Sequence, residues 1–296
     1  MSPALEVLAT GPLVLVEDDG RPGLAAVGVG RSGAADRGSY RLGARLVGNR
    51  HHRAALEVLL GGLVVRAHER VTVALTGASA PATVDGRAVA HATLVELPDG
   101  AVLTLGMPTR GLRTYLTVRG GIDVPPVLGS RSRDTLSGLG PAPVRVGDLL
   151  PVGEPGRSFP TVDHAPQPVD RHDGPTVLHV GPGPRAGWVG GWHTALGGLL
   201  GADRVVGADS DRIGLRLEGS QVLRAADWRD ADLPSEGMVR GAVQLPPDGE
   251  PVVFLADHAV TGGYPVIGVL TASACDLAAQ LRPGDTVRLT RAAPLS

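Results

Sequence analysis

The sequence contains no lysine, and all 28 of its basic residues are arginine. This absence excludes a Schiff-base mechanism on this chain, a biotin attachment site and a Gly-Lys-Ser/Thr phosphate loop, because each of these needs a lysine amine. If biotin or ATP takes part in the function, another chain carries the attachment lysine or the usual phosphate-binding lysine.

Cysteine and aromatic residues are also scarce. The single cysteine, Cys275, excludes an internal disulfide and a multi-cysteine zinc site, and its apolar surroundings predict a buried, inert thiol. No metal site is predicted. Because aromatic residues make up 3% of the chain, the core must be built mainly from Val, Leu, Ala and Ile.

The charge pattern and the missing apolar runs narrow the class of protein further. The net charge is −2, and no basic stripe points to nucleic-acid binding. Since no charged-then-apolar leader and no long apolar span is seen, we expect a cytoplasmic protein without a membrane association.

Glycine and proline are abundant, with 43 and 25 residues in a chain of 296. Such a composition predicts many short strands joined by tight turns. The strand-like stretches are 13–18, 56–67, 70–77, 101–106, 112–121, 176–181, 214–219, 251–257, 264–270 and 285–290. Helices are predicted only over 34–49 and 273–281, the second with Ser273 as N-cap. The sequence therefore predicts a mainly β fold with few short helices.

The chain divides at a proline-rich segment. Residues 153–175 hold five prolines and no periodicity, which predicts a linker between a first domain, 1–152, and a second, 176–296. The two halves share a pattern, because 114–130 and 254–270 both run through a strand, a glycine pair, a proline and apolar residues. This repetition predicts two related β-barrel-like domains.

The stretch DHAVTGGYP, residues 257–265, is open to two interpretations. It is either a hairpin turn between buried strands or the lip of a ligand site. Asp257, His258 and Thr261 supply an acid, a titratable base and a hydroxyl group. Gly262 and Gly263 allow a positive φ or a close backbone approach to a ligand.

The segment before residue 213 is similarly ambiguous. Ser210, Asp211 and Arg212 precede a strand, and an arginine can hold a carboxylate or phosphate with two parallel hydrogen bonds. The alternative is a surface turn with a local Asp–Arg pair. Gln244, on a short predicted strand, is a further candidate to reach a ligand.

Two loops of the first half carry candidates of the same kind. Ser32 and Asp36 open the predicted helix, where they form either an anion site or a plain N-cap. Arg131 and Ser132 lie in a polar, glycine-rich loop, which is either a lid or a solvated connection.

Taken in order, several stretches resemble one family. They are VEDDGRPGLAAVGVGRSGAADRGSYRLGARLVGN, YLTVRGGIDVPPVLGSRS, DSDRIGLRLEG, SEGMVRGAVQLPPDGEPVVFLADHAVTGGYP and LRPGDTVRL. The family contains allophanate hydrolase subunit 2-like proteins, antagonists of the sporulation-kinase inhibitor KipI, the C component of the ATP-dependent 5-oxoprolinase, and related biotin-dependent carboxyltransferases. The resemblance implies two tandem cyclophilin-like β-barrel domains.

The resemblance also implies which residues form the site. Asp257, His258 and Asp211 would be catalytic, with Asp257 or His258 carrying protons. The expected substrate-binding residues of the second domain are Ser210, Arg212, Gln244, Thr261, Gly262, Gly263 and Tyr264, and those of the first domain are Ser32, Asp36, Arg131 and Ser132. Arg212 would hold a carboxylate or phosphate.

The chain departs from the family pattern at one place. Many relatives read Arg-Gln-Thr where this chain has His258, Ala259 and Val260, and they often have a basic residue at the position of Val266. A fixed positive charge is lost here, while an imidazole that titrates near neutrality is gained.

The function that the resemblance implies first is a subunit of a heteromeric 5-oxoprolinase. The complex would bind ATP and open a small cyclic amide together with a KipI-like protein, similar to the B component of 5-oxoprolinase, and a lactam-utilisation subunit. One alternative is a biotin-dependent carboxyltransferase acting on urea or allophanate, with biotin on another chain. A second alternative is a non-catalytic antagonist that binds a KipI-like kinase inhibitor.

Overall fold

The computed structural model describes residues 4–50, 52–156, 162–166, 174–194, 196–229 and 231–293. Of the predicted linker, 157–161 and 167–173 lie outside these ranges. The chain forms two compact units, a first one of Met1–Pro22 and Ser32–Val169 and a second one of Gly23–Arg31 and Asp170–Ser296. No helix in the described ranges is long and apolar enough to cross a membrane.

The first unit is built almost entirely of antiparallel strands. Its elements are β1 (Ala4–Thr10), β2 (Leu13–Glu17), α1 (Arg37–Leu46), β3 (Ala55–Leu59), β4 (Leu63–His68), β5 (Val71–Gly77), β6 (Ala82–Val84), β7 (Arg87–Ala88), β8 (Leu94–Leu97), β9 (Val102–Leu105), β10 (Arg113–Val118) and β11 (Leu149–Pro151). They form one sheet in the order β11-β1-β4-β9-β6-β7 and another in the order β2-β3-β10-β5-β8. This confirms the mainly β class.

One apolar core lies between the two sheets. In β4, Leu63, Val65 and Ala67 are buried while the residues between them are not, as the two-residue period of a strand requires. Side chains from both sheets, among them Leu5 of β1 and Val14 of β2, belong to the same cluster. The helix α1 contacts β5 and β10.

Two local predictions of secondary structure were wrong. The stretch 56–67 is two strands, because Leu60, Gly61 and Gly62 all have positive φ and reverse the chain. A side chain at Gly61 would collide with the carbonyl oxygen of Gly106, so the reversal is tightly packed and lacks the polar residues that usually mark a turn. The second helix begins after Thr271 instead of Ser273, since the Thr271 hydroxyl accepts from the Ala274 N–H.

The second unit is a closed barrel. Its elements are β12 (Thr176–Pro182), β13 (Asp203–Val206), β14 (Gly214–Glu218), β15 (Glu236–Gly237), β16 (Ala242–Gln244), β17 (Val252–Phe254), β18 (Thr261–Gly262), β19 (Val266–Leu270), α2 (Ala272–Ala278) and β20 (Thr286–Arg291). The barrel order is β12-β19-β16-β17-β14-β13-β20, and β15 pairs with β18 outside it.

Alternating residues of the barrel strands fill its interior. Val243, Val253, Leu215 and Leu217 are at most 2% exposed and belong to one core cluster, together with Cys275 of α2, which is buried as predicted. The residues between them on β14, β16 and β17 therefore lie on the outer wall of the barrel.

The first unit contains a histidine whose environment predicts pH-dependent stability. Burial lowers the pKa of His91 below its ordinary value of 6.5, although its Nε2 lies 2.7 Å from the Ala80 carbonyl oxygen. Above pH 6.5 the ring is neutral in both the folded and the unfolded state. As the pH falls towards the folded pKa, the unfolded state takes up the proton first, so the free energy of unfolding decreases.

We expect His91→Gln to remove part of this decrease in the free energy of unfolding at acidic pH. The measurement is urea unfolding followed by circular dichroism at pH 7.5 and at lower pH values, with the exposed His52→Gln as control. The loss below pH 6.5 should be smaller in His91→Gln than in either the wild type or the control. An equal loss in all three proteins would contradict the assignment.

Candidate functional site

Three neighbouring strands place a row of side chains on the outer wall of the barrel. Arg216 of β14 is in register with Val252 of β17, and Val252 is in register with Gln244 of β16. Gly214 is paired with Phe254 in the same way, two residues along. Because residues in register share one face of a sheet, these five positions lie on the same outer surface.

This surface forms the floor of a cavity of about 260 Å³, which we call the Gln244 cavity. Its lining residues are Asp209, Asp211, Ile213, Gly214, Arg216, Gln244, Pro246, Val252, Phe254 and Tyr264. Three predicted site residues meet here, namely Asp211, Gln244 and Tyr264. Arg216 and Phe254 were not among the predicted residues. Arg216 is in register with Gln244 through Val252, and Phe254 lies two residues beyond Val252 on the same strand.

Gln244 is 4% exposed, yet it lines the cavity. Its Nε2 donates to the Tyr264 carbonyl oxygen at 3.1 Å, while its Oε1 accepts no hydrogen bond from any residue in the described ranges. The open acceptor is the group that the cavity offers to an N–H of a ligand.

The glycine pair beside Gln244 serves packing. Gly262 and Gly263 do not have positive φ, so of the two uses that the sequence left open for them, the left-handed backbone does not occur here. A Cβ at Gly262 would lie 2.6 Å from Gln244 Nε2, whereas one at Gly263 would make only an ordinary contact. Gly262 therefore leaves the space that the Gln244 side chain occupies.

Arg212 and Asp257 form a buried ion pair beside the cavity. Arg212 Nε donates to Asp257 Oδ2 at 2.8 Å and Nη2 donates to Oδ1 at 3.1 Å, and the two side chains are 4% and 0% exposed. The Asp257 N–H also donates to the Arg212 carbonyl oxygen. Their predicted roles as anion clamp and proton carrier stay predictions, but each charge already has a partner from its own chain.

Ser210 and Asp211 form a turn at the rim of the cavity. Asp211 Oδ1 accepts from the N–H groups of Ile213 at 2.7 Å and Gly214 at 3.0 Å, and the Ser210 hydroxyl accepts from the Arg216 N–H. The turn holds the Asp211 carboxylate at the edge of the cavity.

The remaining residues of the DHAVTGGYP stretch lie around this cavity in different ways. The His258 ring is stacked on Phe254, with 5.8 Å between ring centroids, and its Nδ1 lies 2.8 Å from the Ala259 carbonyl oxygen. Thr261 pairs with Gly237 in the β15–β18 ribbon. Tyr264 follows this ribbon, lines the cavity and is 45% exposed.

An ion pair holds the ribbon to the loop after β12. Glu236 of β15 accepts hydrogen bonds from the guanidinium of Arg185. The hydrogen bond from Arg185, together with its charge, lowers the pKa of the Glu236 carboxyl group. The two charges therefore stay paired at neutral pH.

In the first unit, Ser132 belongs to a buried cluster around Asp18. The Asp18 carboxylate accepts from the hydroxyl groups of Ser130 at 2.6 Å and Ser132 at 2.7 Å, and from the N–H groups of Arg131 at 2.7 Å and Gly20 at 2.8 Å. Four hydrogen bonds stabilise a charge that burial would otherwise disfavour. Asp18 was not among the predicted site residues.

The other first-unit candidates have structural partners as well. Asp36 is the N-cap of α1, accepting from the Ser39 N–H at 2.9 Å, in agreement with the plain N-cap interpretation. The Arg131 guanidinium donates to Asp123 and to the Val124 carbonyl oxygen. Ser32 is buried with a φ of 54°, and its hydroxyl donates to the Arg133 carbonyl oxygen. Their roles in ligand binding stay predictions.

A second depression of about 420 Å³ lies elsewhere on the second unit. It is lined by His193, Thr194, Leu200, Gly201, Leu289, Thr290 and Arg291, and it includes none of the predicted site residues. Arg291 already donates to the carbonyl oxygens of Trp192 and Thr194. We therefore take the Gln244 cavity as the candidate site. Within the described ranges, no three His, Cys, Asp or Glu side chains gather as a metal site would require.

Comparison with known proteins gives the family. The family described as "Carboxyltransferase domain, subdomain A and B" matches residues 27–291. The chain belongs to this carboxyltransferase-domain family. Proteins that it resembles include the C component of 5-oxoprolinase from Escherichia coli, 34% identical over 90% of this chain and 84% of that protein. Urea amidolyase of Saccharomyces cerevisiae is 31% identical over 99% of this chain but only 17% of its own length.

A solved structure of similar fold is that of TTHA0988. Its crystal structure superposes with a TM-score of 0.86 at 31% identity and covers 98% of this chain. The chain spans 55% of the TTHA0988 chain.

In this chain, the Arg212–Asp257 pair should be a large contributor to the stability of the second unit. We expect Asp257→Ala to lower the free energy of unfolding by about 3–5 kcal/mol, because it leaves a buried guanidinium without its carboxylate. The double variant Arg212→Met/Asp257→Leu should lower the free energy of unfolding by less than Asp257→Ala alone, because no unpaired charge remains buried.

The measurement is urea unfolding followed by tryptophan fluorescence, since Trp188, Trp192 and Trp228 all lie in the second unit. Asp203→Ala, which breaks the half-exposed pair with Arg288, is the control and should cost at most about 1 kcal/mol. Equal costs for Asp203→Ala and Asp257→Ala would show that burial of the pair is energetically unimportant.

Proposed function

We propose that this chain is a subunit of a heteromeric, ATP-dependent 5-oxoprolinase. Together with a KipI-like subunit and a lactam-utilisation subunit, it would open the ring of 5-oxoproline to glutamate. The proposal rests first on the similarity to the C component of 5-oxoprolinase from Escherichia coli, which extends over most of both chains.

The observation that carries the proposal is the state of Gln244. A buried carboxamide with an open Oε1 lines a cavity of small-molecule size, next to the aromatic rings of Phe254 and Tyr264. A lactam presents a flat, apolar ring with an N–H and a carbonyl group, and its N–H fits the Gln244 acceptor.

The chemistry explains why ATP is needed. An amide is a poor electrophile, so transfer of the ATP γ-phosphoryl group to the lactam oxygen makes its carbon open to attack by water. The C–N bond then breaks and the nitrogen takes a proton, which gives the open-chain γ-glutamyl phosphate and leaves ADP. A second water hydrolyses this acyl phosphate to glutamate and phosphate. Because this chain has no lysine, any lysine contact to the nucleotide comes from a partner subunit.

A second candidate function is carboxyl transfer. The family description and the similarity to urea amidolyase favour it. Here urea or a similar amide would occupy the Gln244 cavity, and biotin would be attached to another chain. A third possibility, that the chain only binds and sequesters a KipI-like inhibitor, is an outcome of the same experiment.

The test is turnover by the assembled complex. The chain is co-purified with its KipI-like and lactam-utilisation partners, and ADP and glutamate are measured with and without 5-oxoproline. We expect lactam-dependent release of both products. Gln244→Met should lower kcat/KM for 5-oxoproline about tenfold or more, because the open acceptor is lost.

The matched control is Gln221→Met, the same change at an exposed glutamine of the second unit. It should turn over like the wild type. Biotin-dependent, avidin-sensitive carboxylation of urea would favour the second candidate, and a stable complex without any turnover would favour sequestration. Unchanged kcat/KM in Gln244→Met would place the site elsewhere.

A further inference from the structure

We propose that Arg216 binds the carboxylate of the substrate, so that the Gln244 cavity selects small amides carrying a carboxylate over neutral amides. This inference rests on the proposed function, since it assigns the substrate class of the same cavity. Arginine is suited to the role because its planar guanidinium binds a carboxylate with two parallel hydrogen bonds.

Arg216 keeps its charge available for a ligand. Among the described residues, its side chain has no hydrogen bond and no carboxylate within 4.0 Å. Arg212, four residues earlier, is instead paired with Asp257. The cavity therefore has a guanidinium that forms no ion pair with any residue in the described ranges.

The position of Arg216 relative to Gln244 suits a ligand that contacts both. The two residues flank Val252 in register on adjacent strands, so their Cα atoms are about 10 Å apart on the same outer face. Both side chains line the cavity between them. A small molecule with a carboxylate next to a lactam N–H can therefore meet Arg216 and Gln244 Oε1 at once.

The acidic residues of the cavity restrict where an anion can lie. Asp209 and Asp211 also line it and repel an anion, so a carboxylate is favoured only beside Arg216. Asp211 is held at the rim by two backbone N–H groups. Both carboxylates are acceptors, as is Gln244 Oε1, so an N–H group fits this part of the cavity.

Binding of a carboxylate by Arg216 would distinguish the substrates of the two candidate reactions. 5-Oxoproline has both a carboxylate and an amide N–H, whereas urea has no carboxylate. A cavity that binds through Arg216 would hold 5-oxoproline more tightly than a neutral amide of the same shape.

The experiment compares two lactams that differ in the carboxylate alone. Binding of 5-oxoproline and of 2-pyrrolidinone to the complex with the KipI-like subunit is measured by isothermal titration calorimetry. Wild type, Arg216→Gln and Arg288→Gln are compared. Arg288 lies on β20 of the same barrel, does not line the cavity and pairs with Asp203.

We expect the wild type to prefer 5-oxoproline. Arg216→Gln should weaken 5-oxoproline binding about tenfold to a hundredfold and leave the weak binding of 2-pyrrolidinone unchanged. In turnover, KM for 5-oxoproline should rise with little change in kcat, because the contact is present in both ground and transition state. Arg288→Gln should behave like the wild type.

Several outcomes would overturn the inference. They are equal wild-type affinity for the two lactams, no binding of 5-oxoproline, and equal weakening of both lactams by Arg216→Gln. Failure of the proposed reaction gives a different result. If no ADP or glutamate is formed but the Arg216-dependent preference for the carboxylate remains, the reaction is wrong and the binding assignment stands.

Discussion

The buried ion pair between Arg212 and Asp257 determines where the walls of the Gln244 cavity lie. Arg212 ends the segment that carries Asp209 and Asp211, and Asp257 begins the segment that leads to Tyr264. Past the ends of β14 and β17, the Leu255 N–H donates to the Ile213 carbonyl oxygen and the Asp257 N–H donates to the Arg212 carbonyl oxygen, so the two segments stay paired up to the ion pair. Since two buried charges are tolerated only with near-ideal geometry, the pair fixes both segments together.

The sequence predicted the mainly β class and the stretches around the cavity, because strand periodicity and the order of motifs can be recognised from the residues along the chain. The sequence did not predict which arginine of the cavity region lacks an ion-pair partner among the described residues. Arg212 and Asp257 are 45 residues apart in the chain, so their pairing depends on the register of β14 and β17. Arg216 was overlooked because an arginine between two inward-facing leucines is the ordinary pattern of a solvent-facing strand position.

The two glycine pairs show a related limit. Gly120 and Gly121 have φ of 98° and 76°, conformations that favour glycine in any fold. Gly262 has an ordinary backbone and is small because the Gln244 side chain lies against it. A Gly-Gly pair is thus required by the backbone conformation in the first unit and by the space for a neighbouring side chain in the second. Likewise, Ser130 and Ser132 of the 128–140 loop form a buried cluster around Asp18, a partner more than 100 residues earlier in the chain.

The cavity lies on the outer wall of a barrel whose interior is filled with packed apolar side chains. Along β14, β16 and β17, every second residue belongs to the core, and the residues between them lie on the outer wall, where Arg216, Gln244 and Val252 line the cavity. The packed core and the surface of the cavity therefore depend on alternating residues of the same three strands. Under the proposed function, the outward residues, at positions such as 216 and 252, could be exchanged while the inward residues stay constant, so one barrel could be adapted to amides of different charge without a change of its core.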